Sequence, residues 1–92
     1  MAQSCTVIQA DPWSLAEALA AIPANVVIIE KSTSAGKFIV VTDDSADDQE
    51  YTVIVGDPDK LATELNAIIT LGKDIIWVAP TFSAAHYLVV HT

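Results

Sequence analysis

Hydrophobic positions along the chain fall into short continuous apolar runs and stretches of period 3.6, and the same succession occurs twice. Short β-branched runs at residues 6–9 and 51–55 predict strands. Each run is followed by an Asp-Pro pair, Asp11-Pro12 and Asp57-Pro58. An aspartate that accepts free amide protons, then a proline whose missing N–H costs nothing in the first turn, predicts a helix start. The first helix places Leu15, Ala18, Leu19 and Ile22 on one face, and Pro23 marks its end. The second gathers Leu61, Leu65, Ile68 and Ile69, with Gly72 as its stop. Residues 26–30 and 37–42 predict a hairpin around 32–36, and residues 75–79 and 87–91 another around 80–83.

Each half therefore reads strand, helix, strand, strand, and the halves align with each other. Residues 4–22 match residues 50–68 at ten of nineteen positions, among them Thr6/Thr52, Val7/Val53, Ile8/Ile54 and Leu15/Leu61. After a three-residue insertion in the second copy, residues 25–41 align with 74–90 through their apolar pattern. The expected organisation is a single domain, 1–92, with internal repeats 4–43 and 50–92 joined by an acidic linker, 43–49. The expected fold class is α+β: a tandem duplication of a β-α-β-β unit, with six mostly antiparallel strands, two helices on one face, pseudo-twofold symmetry and scope for barrel closure.

The strands are apolar on both faces. Val26-Val27-Ile28-Ile29, Phe38-Ile39-Val40-Val41, Ile75-Ile76-Trp77-Val78 and Leu88-Val89-Val90 show no polar alternation. A sheet with one wet face alternates, because successive side chains point to opposite sides. Two short helices cover only one face of six strands, so the other must be a barrel interior, a subunit interface or an apolar pocket. Positions where the repeats differ mark where a site could have specialised. Trp77 stands against Ile28, Tyr51 against Cys5, Ala79 against Glu30, His86 against Lys37 and Asp59 against Trp13. Glu30 ends an otherwise apolar stripe and needs a partner if it is covered.

Composition narrows the function more than the fold. Half the chain is apolar (52%) and only 17% is charged, which excludes disorder. No apolar run approaches the roughly 20 residues of a membrane-spanning helix, and no secretory leader pattern is readable. A cytoplasmic, bacterial setting is the default expectation. Twelve acidic residues face four lysines and no arginine, for a net charge of −8. That field disfavours nucleic acid, anionic membranes and polyphosphates. It favours basic protein surfaces and cationic small molecules. Cys5 is the single cysteine, so an internal disulfide and a cysteine-cluster zinc site are excluded.

Motifs for chemistry are weak. Ser34-Ala35-Gly36-Lys37 lacks the second glycine, the following Ser or Thr and the helix of a phosphate loop. Cys5, His86 and His91 have no spacing that pairs a nucleophile with a base, and the two histidines point to opposite faces of a regular strand. The acidic segment 43–50 begins like a calcium loop but has no glycine at its sixth place and Ile54 at its twelfth. No catalytic residue, metal site or cofactor is expected. The duplicated layout is similar to that of small-molecule effector-binding domains of bacterial regulators. That resemblance implies a barrel-like sheet, an aromatic-lined groove and an acidic residue that hold hydrophobic cations.

Two expectations result. The first is a small acidic, non-enzymatic interaction module, a homodimer or a binder of a basic protein, with Trp13, Ile28 and Val40 as interface residues. The second is an effector-binding domain for an apolar or cationic small molecule, with Trp77, Tyr87, Phe38, Glu30 and Tyr51 lining the pocket. A 92-residue chain covers six strands most easily by sharing its core across two copies, which favours the first.

Overall fold

The computed structural model describes residues 2–44 and 49–92, so the middle of the linker, residues 45–48, lies outside the described residues. The elements run β1 (Gln3–Gln9), α1 (Pro12–Ala20), β2 (Asn25–Lys31), β3 (Lys37–Asp43), β4 (Glu50–Val55), α2 (Pro58–Thr70), β5 (Ile75–Pro80) and β6 (His86–His91). The Asp-Pro signals act as the sequence implies. The Asp11 carboxylate accepts from the Ser14 N–H at 2.7 Å, and Asp57 accepts from the Lys60 N–H at 2.9 Å. Each proline then opens a helix.

The six strands form two separate antiparallel sheets, ordered β1-β3-β2 and β4-β6-β5. In both trios the last strand lies in the middle, flanked by the strand before the helix and the strand after it. Both carry a bulge near the start of the post-helix strand, between Val26 and Ile28 and between Ile75 and Trp77. The fold is α+β, but no closed barrel forms. Strand alternation alone allows six apolar strands to curl into one sheet. Here the chain instead turns the second trio onto a face of the first.

The core lies between the sheets. Val26, Ile29, Phe38 and Val40 of the first sheet meet Ala79, Leu88 and Val90 of the second. Leu15 and Leu19 of α1 fill the space between them with no exposed surface. The sheets approach each other along β2 and β5, while α1 packs against β4 and β6. One helix therefore serves two sheets. α2 meets β4 and β5, on the far side of the second sheet, where Val89 and Ile54 are buried. The expectation of two helices on one face is thus corrected: α1 is interleaved and α2 is external. About a twofold axis the helices would have equivalent partners. Leu15 and Leu19 are fully buried, whereas α2 buries none of its residues completely.

The two hairpin turns share one construction. Ser32 Oγ donates to the Lys37 carbonyl at 2.8 Å, and Thr81 Oγ1 donates to the His86 carbonyl at 2.9 Å. The chain then needs a left-handed residue before the next strand. Gly36 supplies it at φ +78°, but in the second turn Ala85 does, at φ +60°. A side chain in that region costs about 1–2 kcal/mol.

Two outcomes follow from these elements. Ala85→Gly is expected to raise stability by about 0.5 kcal/mol, the relieved strain being partly offset by a freer unfolded chain, and Gly36→Ala to lower it by about 1 kcal/mol. Urea unfolding of both variants checks this, and a destabilised Ala85→Gly chain contradicts it. The Ser14 N–H bond lowers the Asp11 carboxyl below its ordinary 3.8. A lowered folded value means the cap stabilises above the unfolded pKa and is lost as pH falls through the folded one. Asp11→Ala should therefore be less stable than the parent at pH 7, with the gap closing below about pH 4. A gap independent of pH would contradict the assignment.

Candidate functional site

Pairing register assigns every strand residue to a face. In the first sheet one face carries Thr6, Ile8, Val26, Ile29, Phe38, Val40 and Thr42. This is the face turned to the core. The other carries Cys5, Val7, Ile28, Glu30, Lys37, Ile39 and Val41. Among the described residues no element covers it. Val7 is 63% exposed, Ile39 40% and Ile28 37%, and the Cys5 thiol is exposed.

In the second sheet both faces are covered. Tyr51, Val53, Trp77, Ala79, Leu88 and Val90 look into the core. Thr52, Ile54, Val78, Tyr87 and Val89 look toward α2. Of four sheet faces, three are buried and one remains open. The open one carries three of the exposed large aliphatic side chains, Val7, Ile28 and Ile39.

The expected ligand-binding residues are distributed over different surfaces. Trp77 and Tyr51 lie in the core, where the Trp77 indole N–H donates to the Ile29 carbonyl at 3.2 Å. Phe38 is buried and packs edge-on against Phe82, with ring centroids 5.2 Å apart. Tyr87 is on the opposite face of the second sheet from Trp77. Glu30 is exposed on the open face, beside Ile39. The structure brings Trp77, Tyr51 and Phe38 into one packed layer and leaves Tyr87 and Glu30 apart from them.

Of the expected interface residues, Ile28 is on the open face. Val40 has no exposed surface and belongs to the core. Trp13 is 54% exposed and stands edge-on to the His86 ring, at 5.0 Å between centroids and 82° between planes. This pair links the start of α1 to the second sheet.

Sequence reasoning missed Gln49. Its side-chain oxygen accepts from the Val26 N–H at 2.7 Å, and its amide donates to the Val26 carbonyl at 3.0 Å. The Tyr51 hydroxyl donates to the same oxygen at 3.1 Å. One side chain thus satisfies both backbone groups on the outer edge of β2, beside the bulge, as a neighbouring strand would. The available signal was its register with Gln3 in the aligned repeats.

No family model, no curated protein and no solved structure matches the chain. The functional reading therefore rests on this geometry.

Chemistry for catalysis is sparse around it. His91 is buried with both ring nitrogens engaged: Nδ1 donates to the Thr92 carbonyl at 3.0 Å, and Nε2 shares a hydrogen bond of 2.8 Å with the Thr52 hydroxyl. His86 Nδ1 donates to the Ala84 carbonyl at 2.7 Å. Cys5 is on the first sheet and both histidines are on the second. Among the described residues no three His, Cys, Asp or Glu side chains gather to hold a metal. A groove of about 240 Å³ lies between β4 and α2, lined by Thr52, Val53, Ile54, Val55, Lys60 and Glu64. At the edge of the second sheet, Lys73 Nζ pairs with Glu50 Oε2 at 2.6 Å and draws that carboxyl below its usual range.

Replacing Gln49 by Ala removes both partners of the Val26 backbone and is expected to cost about 1–2 kcal/mol. Thermal unfolding of Gln49→Ala checks this, and a loss below 0.5 kcal/mol would show water replacing the amide without cost, roughly the lower bound for a net hydrogen bond.

Proposed function

We propose that this chain is a duplicated, non-enzymatic interaction module that associates with further copies of itself through the open face of its first sheet. The observation that carries this reading is a contrast between two faces that the repeat makes equivalent. Cys5, Val7, Ile28, Ile39 and Val41 align with Tyr51, Val53, Trp77, Leu88 and Val90. Of the second set, Leu88 and Val90 are core and Tyr51, Val53 and Trp77 pack against it, whereas Cys5, Val7, Ile28 and Ile39 of the first are exposed and Val41 is half-buried. A repeat unit that cannot bury its own apolar face relies on a neighbour, and a terminal unit that ends an array has a polar outer face. This one does not. Aliphatic rows of that kind are uncommon on a monomer surface and mark association sites.

Charge distribution is consistent with self-association that stays limited. The net charge of −8 works against close approach of copies, and Glu30 sits at the β2 side of the aliphatic patch. The second reading, an effector pocket, has less support. Its aromatic residues are divided between two faces of one sheet and a packed core. The β4–α2 groove, at about 240 Å³, is smaller than the roughly 300–1,000 Å³ of ligand pockets.

Cys5 is a native reporter of the face. The expected outcome is that sedimentation shows concentration-dependent growth in size, and that alkylation of Cys5 slows as concentration rises. Ile39→Glu should leave the fold intact and abolish both effects, since Ile39 points away from the core. A chain that stays monomeric at all concentrations with constant Cys5 reactivity would overturn the reading.

A further inference from the structure

Resting on that reading, we infer that the occupant of the open face is α2 of a second copy, so that copies stack head to tail by repeating the contact that α1 makes inside the chain. The internal contact supplies the template. α1 lies on the core face of its own sheet and presents its other side to the second sheet, at β4 and β6. α2 lies on the corresponding face of its own sheet, and among the described residues no helix or strand packs on its other side. Ala16 of α1 packs against the core, while its counterpart Ala62 is exposed. Leu15 and Leu19 are fully buried, while Leu61 and Leu65 are only half-buried. Ile69, at 52% exposure, continues the open apolar surface of α2. One unpartnered helix and one unpartnered sheet face are thus the two halves of an interface the molecule already forms once.

Residue exchanges between the repeats fit this occupant. Inside the chain Trp13 of α1 meets His86 of the second sheet, ring to ring. The repeat replaces Trp13 by Asp59 and His86 by Lys37. Both members change together, from an aromatic pair to a pair of opposite charges. Asp59 is exposed in the first turn of α2, and Lys37 is exposed on the open face. Superposing the internal contact on the contact between copies sets the carboxylate against the ammonium.

A second contact follows the same rule independently. Gln49, in the half whose sheet receives α1, holds the Val26 backbone at the bulge of the half that donates it. The aligned residues are Gln3 and Ile75, beside the second bulge. Gln3 of the copy that offers its sheet is placed to hold Ile75 of the copy that offers its helix.

Such an interface is heterologous: the two surfaces differ, so each copy has one of each. A face-to-face pairing of two open sheets would be isologous and would leave α2 of both copies without a partner. The experiment uses complementary blocks, read by native mass spectrometry and sedimentation. Ile39→Glu blocks the sheet face, and Ala62→Arg with Asp59→Lys blocks the helix face; circular dichroism confirms that both remain folded.

Each blocked chain alone should be monomeric, and a mixture of the two should yield a 1:1 complex and nothing larger, because one intact surface of each kind remains. Lys37→Asp should weaken self-association about threefold to tenfold, the range for reversing one partner of an exposed ion pair. Adding Asp59→Lys to it should restore the parental affinity. Helix-face variants that associate like the parent, with Ile39→Glu still monomeric and the mixture unrescued, would overturn the head-to-tail assignment while leaving the open face as the site of association. Loss of concentration dependence in the parent would remove both.

Discussion

Leu15 and Leu19 sit between two sheets, and most of the architecture depends on that placement. A three-stranded antiparallel sheet with apolar residues on both sides needs a cover on each. The short helix after β1 covers one side of its own sheet, and its remaining surface is greasy enough to need covering in turn. Turning the second sheet onto it answers that need and creates the next one on the sheet's far side, which α2 meets. At about 25 cal/mol per Å² of apolar surface withdrawn, each such step stabilises strongly for so small a chain. The succession leaves a bare sheet face at one end and a half-covered helix at the other.

The edges are tied as well as the faces. Trp77 and Gln49 both reach across from the second half to backbone groups of β2, at Ile29 and Val26. These bonds fix how the second sheet lies on the first, and they do so at the side of the core where no helix intervenes. Hydrophobic burial is non-directional; the two polar side chains supply the register that it lacks. The Trp13–His86 contact sets the opposite side, at the start of α1.

Much of this was legible from residues alone. The Asp-Pro helix starts, the hairpins and the two-sided apolar strands all appear where the pattern puts them, because each depends on neighbours within a few positions. Which face goes inside was not legible. Alternation identifies the residues that share a face, as with Ile28 against Ile29, but when both sets are aliphatic it carries no sign. Val40 and Ile39 look interchangeable in the sequence, yet one is wholly buried and the other points to solvent. Barrel closure failed as an expectation for the same reason: it satisfies the pattern as well as stacking does, and the choice lies in where α1 packs. Gln49 was hidden because its partner is the backbone of another strand, which no side-chain pattern records. The left-handed Ala85 was not read from the sequence, because alanine carries no such signal of its own.

On the head-to-tail reading, the exchange of Trp13–His86 for Asp59–Lys37 separates the contact within the chain from the contact between copies. A pair within one chain has a high effective concentration and needs only to pack, so two rings suit it. A pair between chains must also be made and unmade at cellular concentrations, in a molecule whose net charge repels its own copies. One attractive charge pair at a defined point orients the encounter without adding much to the final affinity. Glu30 acts the other way, placing a carboxylate where the internal contact has a buried alanine, Ala79. On the head-to-tail reading these substitutions keep one geometry while tuning it from permanent to reversible. The repeat would then be an assembly unit of which two copies are fused, with the remaining joints regulated by charge and ionic strength.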